Sequence, residues 1–403
     1  MTRRPGVDGE DSPPGIVRIV FLLALLLSAL SACSDARRPV GATVSVAEAM
    51  SGDTTGYDRA EVVREFVFPQ DHGPHPGFKA EWWYVTGNVR ATDGTNRRFG
   101  IQFTVFRSAL SPDTTASSRA SGWAADQLYM AHVALGDVTG ERFYDQERFA
   151  RGAAGLAGAS ADPVSAYLGP VRLTGIGDAS GAVPLRLTGS ADGATFDLTA
   201  QPTKPVVLQG DRGLSQKGVG AGNASYYYAQ TRMATTGTVT LPGGEAVPVE
   251  GLTWFDREWS TSALGDGQVG WDWFALHLDD GRDLMLYQLR REDGSKDPLS
   301  EGSLVDADGA KTRLDAADFE LTPLGTWASP LGGAYPTRWR VRVPEAGIEV
   351  EVTAAFEAQE LDATIRYWEG AVDVTGATPG VGFLEMTGYA DGQEGSARPT
   401  PGA

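Results

Sequence analysis

Three short stretches concentrate the side chains able to do chemistry. The densest is Gly251-Leu252-Thr253-Trp254-Phe255-Asp256-Arg257-Glu258-Trp259-Ser260, which sets charged residues between tryptophans. On an extended strand Trp254, Asp256 and Glu258 face one way, and Phe255, Arg257 and Trp259 the other. A carboxyl among aromatic rings has its pKa raised by loss of water and becomes a proton donor at neutral pH, as protonation of an alkene or a leaving group requires. The same charges also suit ion pairs at a barrel rim or a domain interface, and both readings stand.

The second stretch runs from Asp71-His72-Gly73-Pro74-His75 into Glu81-Trp82-Trp83-Tyr84-Val85-Thr86-Gly87-Asn88. His72 and His75 beside Asp71 have a spacing open to a metal, which would serve a metal-assisted hydrolase. Gly73-Pro74 makes the segment a loop, so the alternative is a plug at one end of a barrel with its imidazoles hydrogen-bonded. The aromatic strand that follows puts Glu81, Trp83 and Val85 on one face and Trp82, Tyr84 and Thr86 on the other. In the third stretch His277 shares a face with Trp271, Trp273 and Ala275. Such a face suits either a pocket for an apolar ligand or plain packed core. His132, within a strand, reads as a satisfied core histidine. No Gly-x-Ser-x-Gly elbow is present, and Gly218 to Gly222 lacks the strand and helix of a dinucleotide site. Neither a resident metal nor a cofactor is expected.

The elements that must position these residues are strands. With 51 Gly, 23 Pro and 10 Trp, and short apolar runs broken by Gly- and Asp-rich turns, the chain reads as all-β. A turn at Asp93-Gly94 joins the aromatic strand to a second one ending Phe106-Arg107. This hairpin is echoed by Trp271-Asp272-Trp273-Phe274, a turn at Asp280-Gly281 and a strand ending Leu289-Arg290. The echo predicts two antiparallel barrels of similar plan with a boundary near residue 262. Only the region from Asp306 to Phe319 has a helical periodicity.

The first 33 residues read as an address. Arg18 precedes an apolar run too short for a comfortable membrane span, and Leu30-Ser31-Ala32-Cys33 has the form of a bacterial lipobox. Cys33, the only cysteine, is the expected lipidation site, and acyl chains there would hold the protein on a membrane. Ser34 in the next position favours the outer membrane, with the protein facing the periplasm. A formal net charge of -18 argues against nucleic acid as a partner.

As a set, His72, Glu81-Trp82-Trp83-Tyr84-Val85-Thr86-Gly87-Asn88, Tyr129-Met130-Ala131-His132, Lys204-Pro205, Gly210-Asp211, Asn223 to Tyr228, Trp254 to Trp259, Trp271 to Phe274, Tyr367-Trp368-Glu369-Gly370 and Gly382 to Tyr389 resemble the AttH-like secreted proteins. That group is related to the carotenoid 1,2-hydratases. The resemblance implies two consecutive lipocalin-like barrels, and relatives that include a phytoalexin hydratase and cyclases acting on polyenes. Asp256, Trp259 and Tyr287 match residues of the carotenoid hydratases, whereas Arg257 and Leu289 stand where those enzymes carry histidine and aspartate. Arginine is a poor proton donor.

The expected organisation is therefore a signal peptide at 1–33, a tether at 34–61, lipocalin-like barrels at 62–262 and 263–392, and a tail at 393–403. The expected function is binding of a hydrophobic small molecule, a terpenoid, polyene or lipid, through Trp82, Trp83, Tyr84, His72, Arg257, Trp271, Trp273 and His277. The alternative is an acid-catalysed hydratase, isomerase or cyclase using Asp256, Glu81, Trp259 and Tyr287.

Overall fold

Runs of β-branched and aromatic residues broken by Asp-Gly turns fold as antiparallel strands throughout the computed structural model, which describes residues 1–2, 53–112, 125–261 and 264–389. Cys33, nearly all of the expected signal peptide, most of the expected tether and the expected tail lie outside the described residues. The first sheet comprises β1 (Ala80–Ala91), β2 (Arg98–Ala109), β3 (Gln127–Asp137), β4 (Arg142–Arg151), β5 (Ala157–Ala161), β6 (Val164–Leu168), β7 (Val171–Gly175), β8 (Leu185–Ala191), β9 (Ala194–Pro202), β10 (Val207–Leu208), β11 (Leu214–Gln216), β12 (Ala224–Thr240) and β13 (Ala246–Ser260). The second comprises β14 (Gln268–Leu278), β15 (Asp283–Arg291), β16 (Glu301–Val305), β17 (Lys311–Asp315), β18 (Glu320–Ala328), β19 (Ala334–Val343), β20 (Ile348–Ala354), β21 (Glu360–Leu361), β22 (Tyr367–Gly376) and β23 (Gly380–Met386). The region from Asp306 to Phe319 is turns around β17 and not a helix, because its apolar residues are too few to cover a helical face.

The first sheet has the order β4-β3-β2-β1-β13-β12-β9-β8-β7-β6-β5, with β10 and β11 on β12. It curls until β3 and β4 meet β6 and β8, giving a nearly closed barrel. The second, β17-β16-β15-β14-β23-β22-β20-β19-β18 with β21 on β22, is a half-barrel. The chain is thus all-β, with two consecutive lipocalin-like antiparallel barrels. In each, the first strand pairs with both the second and the last: β1 with β2 and β13, β14 with β15 and β23. The echoed turns also correspond, since Gly94 and Gly281 both take positive φ after an aspartate whose carboxylate accepts a backbone N–H two residues on.

Burial follows position. β8 and β9 alternate buried and more exposed residues, with one face on the barrel core. β1, β2, β13 and β14 are buried on both faces, because one packs into a barrel and the other against the opposite sheet. One core fills the first barrel around Trp83, Phe255 and Trp259, and a second fills the half-barrel around Phe274, Trp339 and Trp368. A third cluster, with Tyr84, Tyr227, Trp254, Trp273 and Tyr287, lies in the seam between the sheets.

The seam is closed at one end. There Asn88 donates to the Gly382 carbonyl at 2.8 Å, Arg98 donates to the Val372 carbonyl and pairs with Asp373, and Gly100 lies against Ala371. Buried Asp283 is held by Lys204 at 2.7 Å and Arg232 at 2.8 Å, which ties β15 to the first barrel. At the other end Trp82, Trp271 and Glu385 are only half-buried. Ahead of β1 the chain is packed against the barrel rather than free: Ala60 is buried, and Arg59 donates to the Asn223 side chain at 2.9 Å.

Candidate active site at the seam between the two sheets

Strand register builds this site. Across the first sheet one rung reads His132, Thr104, Tyr84, Asp256, and the next, two residues along, reads Met130, Phe106, Trp82, Glu258, Tyr227. Across the second sheet a rung reads Glu301, Tyr287, Trp273, Glu385, Glu369. Because side chains on one rung point the same way, these rows face each other across the seam. Tyr84 joins them: its hydroxyl donates to Glu369 Oε1 and reaches Glu385, and its ring meets Trp273 edge-on at 5.3 Å.

Of the carboxyls in these rows, Glu258 pairs with Lys217 at 3.5 Å and Glu301 with Arg313 at 3.1 Å, whereas Glu369, Glu385 and Asp256 have no ion-pair partner among the described residues. Glu369 is fully buried, and its Oε2 has no hydrogen-bond partner. Burial, reinforced by the neighbouring Glu385, pushes its pKa well above the usual carboxylate range. Burial raises Glu385 to about 7, against a 2.9 Å hydrogen bond from Trp271 Nε1. Burial likewise raises Asp256 well above its ordinary value, although Trp254 Nε1 donates to it at 2.8 Å and Tyr227 stands between it and Trp273. Glu369 and Glu385 are register partners, so their like charges cannot both form easily and the two pKa values are driven apart. Two adjacent carboxyls, one held protonated and one titrating near neutrality, make an acid and a base.

The opposite face of the same strands holds a different arrangement. Glu81, also fully buried, lies between Arg107 and Arg257. Burial alone would raise its pKa, but Arg257 and Arg107 overcome this and hold it far below the usual range. Arg257 also lies over the Trp83 ring at 3.9 Å, and His75 stacks on Trp259 at 3.8 Å. Glu81 is therefore a permanent anion inside the first barrel and cannot donate a proton.

The residues expected to act together thus divide. Asp256, Tyr287, Trp82, Tyr84, Trp271 and Trp273 meet at the seam. Glu81, Trp83, Arg257, Trp259 and His72 lie on the barrel side, away from Asp256, because alternation along β1 and β13 sends neighbours to opposite faces. His277 borders the seam beside Trp254, bonded to the Thr231 carbonyl at 2.7 Å. His72 and His75 do not converge as a metal site. Both His72 nitrogens are engaged, by Tyr228 at 2.6 Å and the Gly181 carbonyl at 2.8 Å, while His75 turns to Glu81 and Asp71. Among the described residues no group of three or more metal-binding side chains gathers.

Glu369, Glu385, Tyr227 and Tyr367 were not singled out by chemistry in the sequence. Their signal is a single carboxylate in an otherwise apolar strand, as in Tyr367-Trp368-Glu369-Gly370-Ala371-Val372. Two surface clefts of about 620 and 630 Å³ lie elsewhere, the first beside Arg290 and Trp339, the second beside Arg64 and Phe66. Arg290 and Arg64 are already paired, with Asp272 and Asp71, so neither cleft offers a free charge from these residues.

A family model described as AttH-like matches residues 59–389. The chain belongs to the AttH-like family. A crystal structure from Nitrosomonas europaea assigned to AttH is 34% identical, covers 82% of this chain and 99% of its own, and superposes with a TM-score of 0.70. The kievitone hydratase of Nectria haematococca shares the AttH-like fold at 17% identity and a TM-score of 0.58, over 87% of this chain and 97% of its own. Among curated relatives, a kievitone hydratase of Fusarium solani is 26% identical over 48% of this chain and 57% of its own length. A dehydratase of Emericella nidulans is 24% identical over 43% and 50%. The chain spans about half the length of these curated relatives.

Proposed function

We propose that this AttH-like protein adds water to, or removes it from, a carbon–carbon double bond in an apolar, unsaturated substrate held in the seam. The observation that carries this reading is Glu369: a buried carboxyl with one oxygen fixed by Tyr84, the other unpartnered, and a register neighbour, Glu385, that titrates near neutrality. In the hydration direction Glu369 O–H gives its proton to one alkene carbon and leaves as carboxylate. The positive charge on the neighbouring carbon is met by the faces of Trp82, Trp271 and Trp273. Water forms the carbon–oxygen bond, and Glu385 carboxylate takes the proton that water sheds. The hydratase and dehydratase names of the curated relatives support this direction. A protein that only carried an apolar ligand would gain nothing from desolvated carboxyls, which favours turnover over carriage.

The test is incubation of the protein with terpenoid, polyene and phenolic alkene probes in water enriched in heavy oxygen, followed by mass spectrometry. Gain of one labelled water is expected, with Glu369→Gln reducing the rate by about 10²-fold or more. Probes that bind without taking up label, or label uptake by Glu369→Gln at the parental rate, would overturn the assignment.

A further inference from the structure

Between the rung of Tyr84 and the closed end of the seam lies one further rung whose polar atoms are left over. Thr86 on β1 and Gln102 on β2 are register partners, and they share a face with Tyr84 and Thr104, two residues along. Both are buried, yet Thr86 Oγ1 and Gln102 Oε1 have no hydrogen-bond partner among the described residues. Gln102 Nε2 is engaged, donating to Thr104 Oγ1 at 2.8 Å. The opposite wall brings a third such atom. There β22 faces β2 and runs the other way: Arg98 pairs with Asp373, Gly100 lies against Ala371, and His132, the register partner of Thr104, meets the Tyr367 hydroxyl at 2.7 Å. Glu369 falls midway between Ala371 and Tyr367, as Gln102 does between Gly100 and Thr104. Glu369, with its unpartnered Oε2, therefore stands opposite Gln102. Ala371 and Ala134, the β3 partner of Gln102, carry only methyl groups and put no polar atom into this rung.

Buried polar atoms in a folded protein are nearly always paired, so three unpaired ones on facing walls mark a place for a ligand atom. Their chemistry says which atom. Tyr84 donates to Glu369 Oε1, which leaves the acid proton on Oε2 as a donor. Thr86 Oγ1 can donate as well, and Gln102 Oε1 only accepts. A carboxylate or phosphate would meet the lone pairs of Gln102 with no cation to offset them, and a carbonyl would leave that oxygen unpaired. A hydroxyl satisfies all three, accepting from Glu369 and Thr86 and donating to Gln102. We infer that Thr86, Gln102 and Glu369 form a subsite for one neutral hydroxyl oxygen, that of a water molecule or of an alkenol substrate. The substrate form rests on the alkene chemistry proposed above. In that complex Thr86 and Gln102 hold the hydroxyl, and Glu369 Oε2–H is left to face the neighbouring double bond. The substrate class narrows to alkenes that carry a hydroxyl close to the double bond, in preference to hydrocarbons and ketones of the same skeleton.

Crystals of the full-length protein grown with and without geraniol, a terpenoid alkenol, separate the two sources. An oxygen within hydrogen-bond distance of Thr86 Oγ1 and Gln102 Oε1 is expected in both, from water without geraniol and from the alcohol with it. Water there in both crystals assigns the subsite to water and overturns the substrate form. No oxygen in either, or the three side chains bonded to one another, overturns the inference outright. In solution, tryptophan fluorescence should show geraniol binding about 10- to 100-fold more tightly than the hydrocarbon with methyl in place of its carbinol group. Thr86→Val, which keeps the shape of the side chain, should lose that preference while binding the hydrocarbon as the parent does, and Gln102→Met serves if Thr86→Val does not fold. A preference that survives in either folded variant overturns the substrate form. Loss of the preference in the variants, in a parent that takes up no labelled water, supports the subsite and overturns the reaction assigned to Glu369 instead.

Discussion

Glu81 and Glu369 are the same residue type, equally buried, one in each of the two sheets, and they behave oppositely. What separates them is the count of cations each can see: Glu81 lies between Arg107 and Arg257, and Glu369 sees only hydroxyls and another carboxyl. Neutralising each should therefore have contrasting effects. Glu81→Gln leaves Arg107 and Arg257 buried without their anion, and a loss of about 3–5 kcal/mol is expected in urea unfolding. Glu369→Gln replaces a protonated acid by an amide of the same shape, so its unfolding midpoint should stay near that of the parent while turnover falls. Equal destabilisation by the two would contradict the charge states assigned here. Both carboxylates stand plainly in the sequence. Only Glu81 drew notice, because it precedes Trp82-Trp83-Tyr84; the neighbours that decide what a carboxylate does come from strands far away in the chain.

At the scale of strands much more was legible. The hairpin of β1 and β2, its echo in β14 and β15, and the alternation that splits Asp256 from Arg257 all follow from turn residues and a period of two. The echo extends to a buried pair near the same end of each hairpin, Glu81 with Arg107 and Asp272 with Arg290. What the pattern could not supply was the seam. A strand buried on both faces carries no polar side to say which face meets its own barrel and which meets the other sheet. Gly100 shows how closely the sheets approach at the closed end, since a Cβ there would stand 2.9 Å from that of Ala371. Gly100→Val should push β2 from β22 at a cost of about 1–3 kcal/mol. It should also weaken binding of apolar probes at the seam, with far-ultraviolet circular dichroism unchanged. Unaltered probe binding in a folded Gly100→Val protein would mean that the ligand lies elsewhere.

For the molecule as a whole the seam makes stability depend on pH through groups of opposite sign. Burial lowers His277 at the seam, and His72 in the first barrel, to about 4. An unfolded histidine binds its proton near 6.5, so between these values the unfolded chain holds more protons than the folded one. Stability from each histidine is complete above about 6.5 and falls as pH drops, by about 3 kcal/mol at pH 4. The raised carboxyls act in reverse. Glu385 at about 7 and Asp272, raised by burial to about 6 despite Arg290, remain protonated in the folded protein after their unfolded counterparts have ionised. Their contribution is complete in acid and is lost as pH climbs from the ordinary carboxyl range toward 6 to 7. Urea midpoints measured across this interval should separate the two effects. His277→Gln is expected to lessen the loss on going from pH 6.5 to 4, and Glu385→Gln to lessen the opposing loss between about 4.5 and 7. A His277→Gln profile parallel to that of the parent would show that this histidine is not held neutral. Because His277 is buried at the seam with its Nδ1 unpartnered, protonating it places there a charge that burial penalises, so the barrels should part before either core melts and apolar probes should be released at a higher pH than the one at which the sheets unfold.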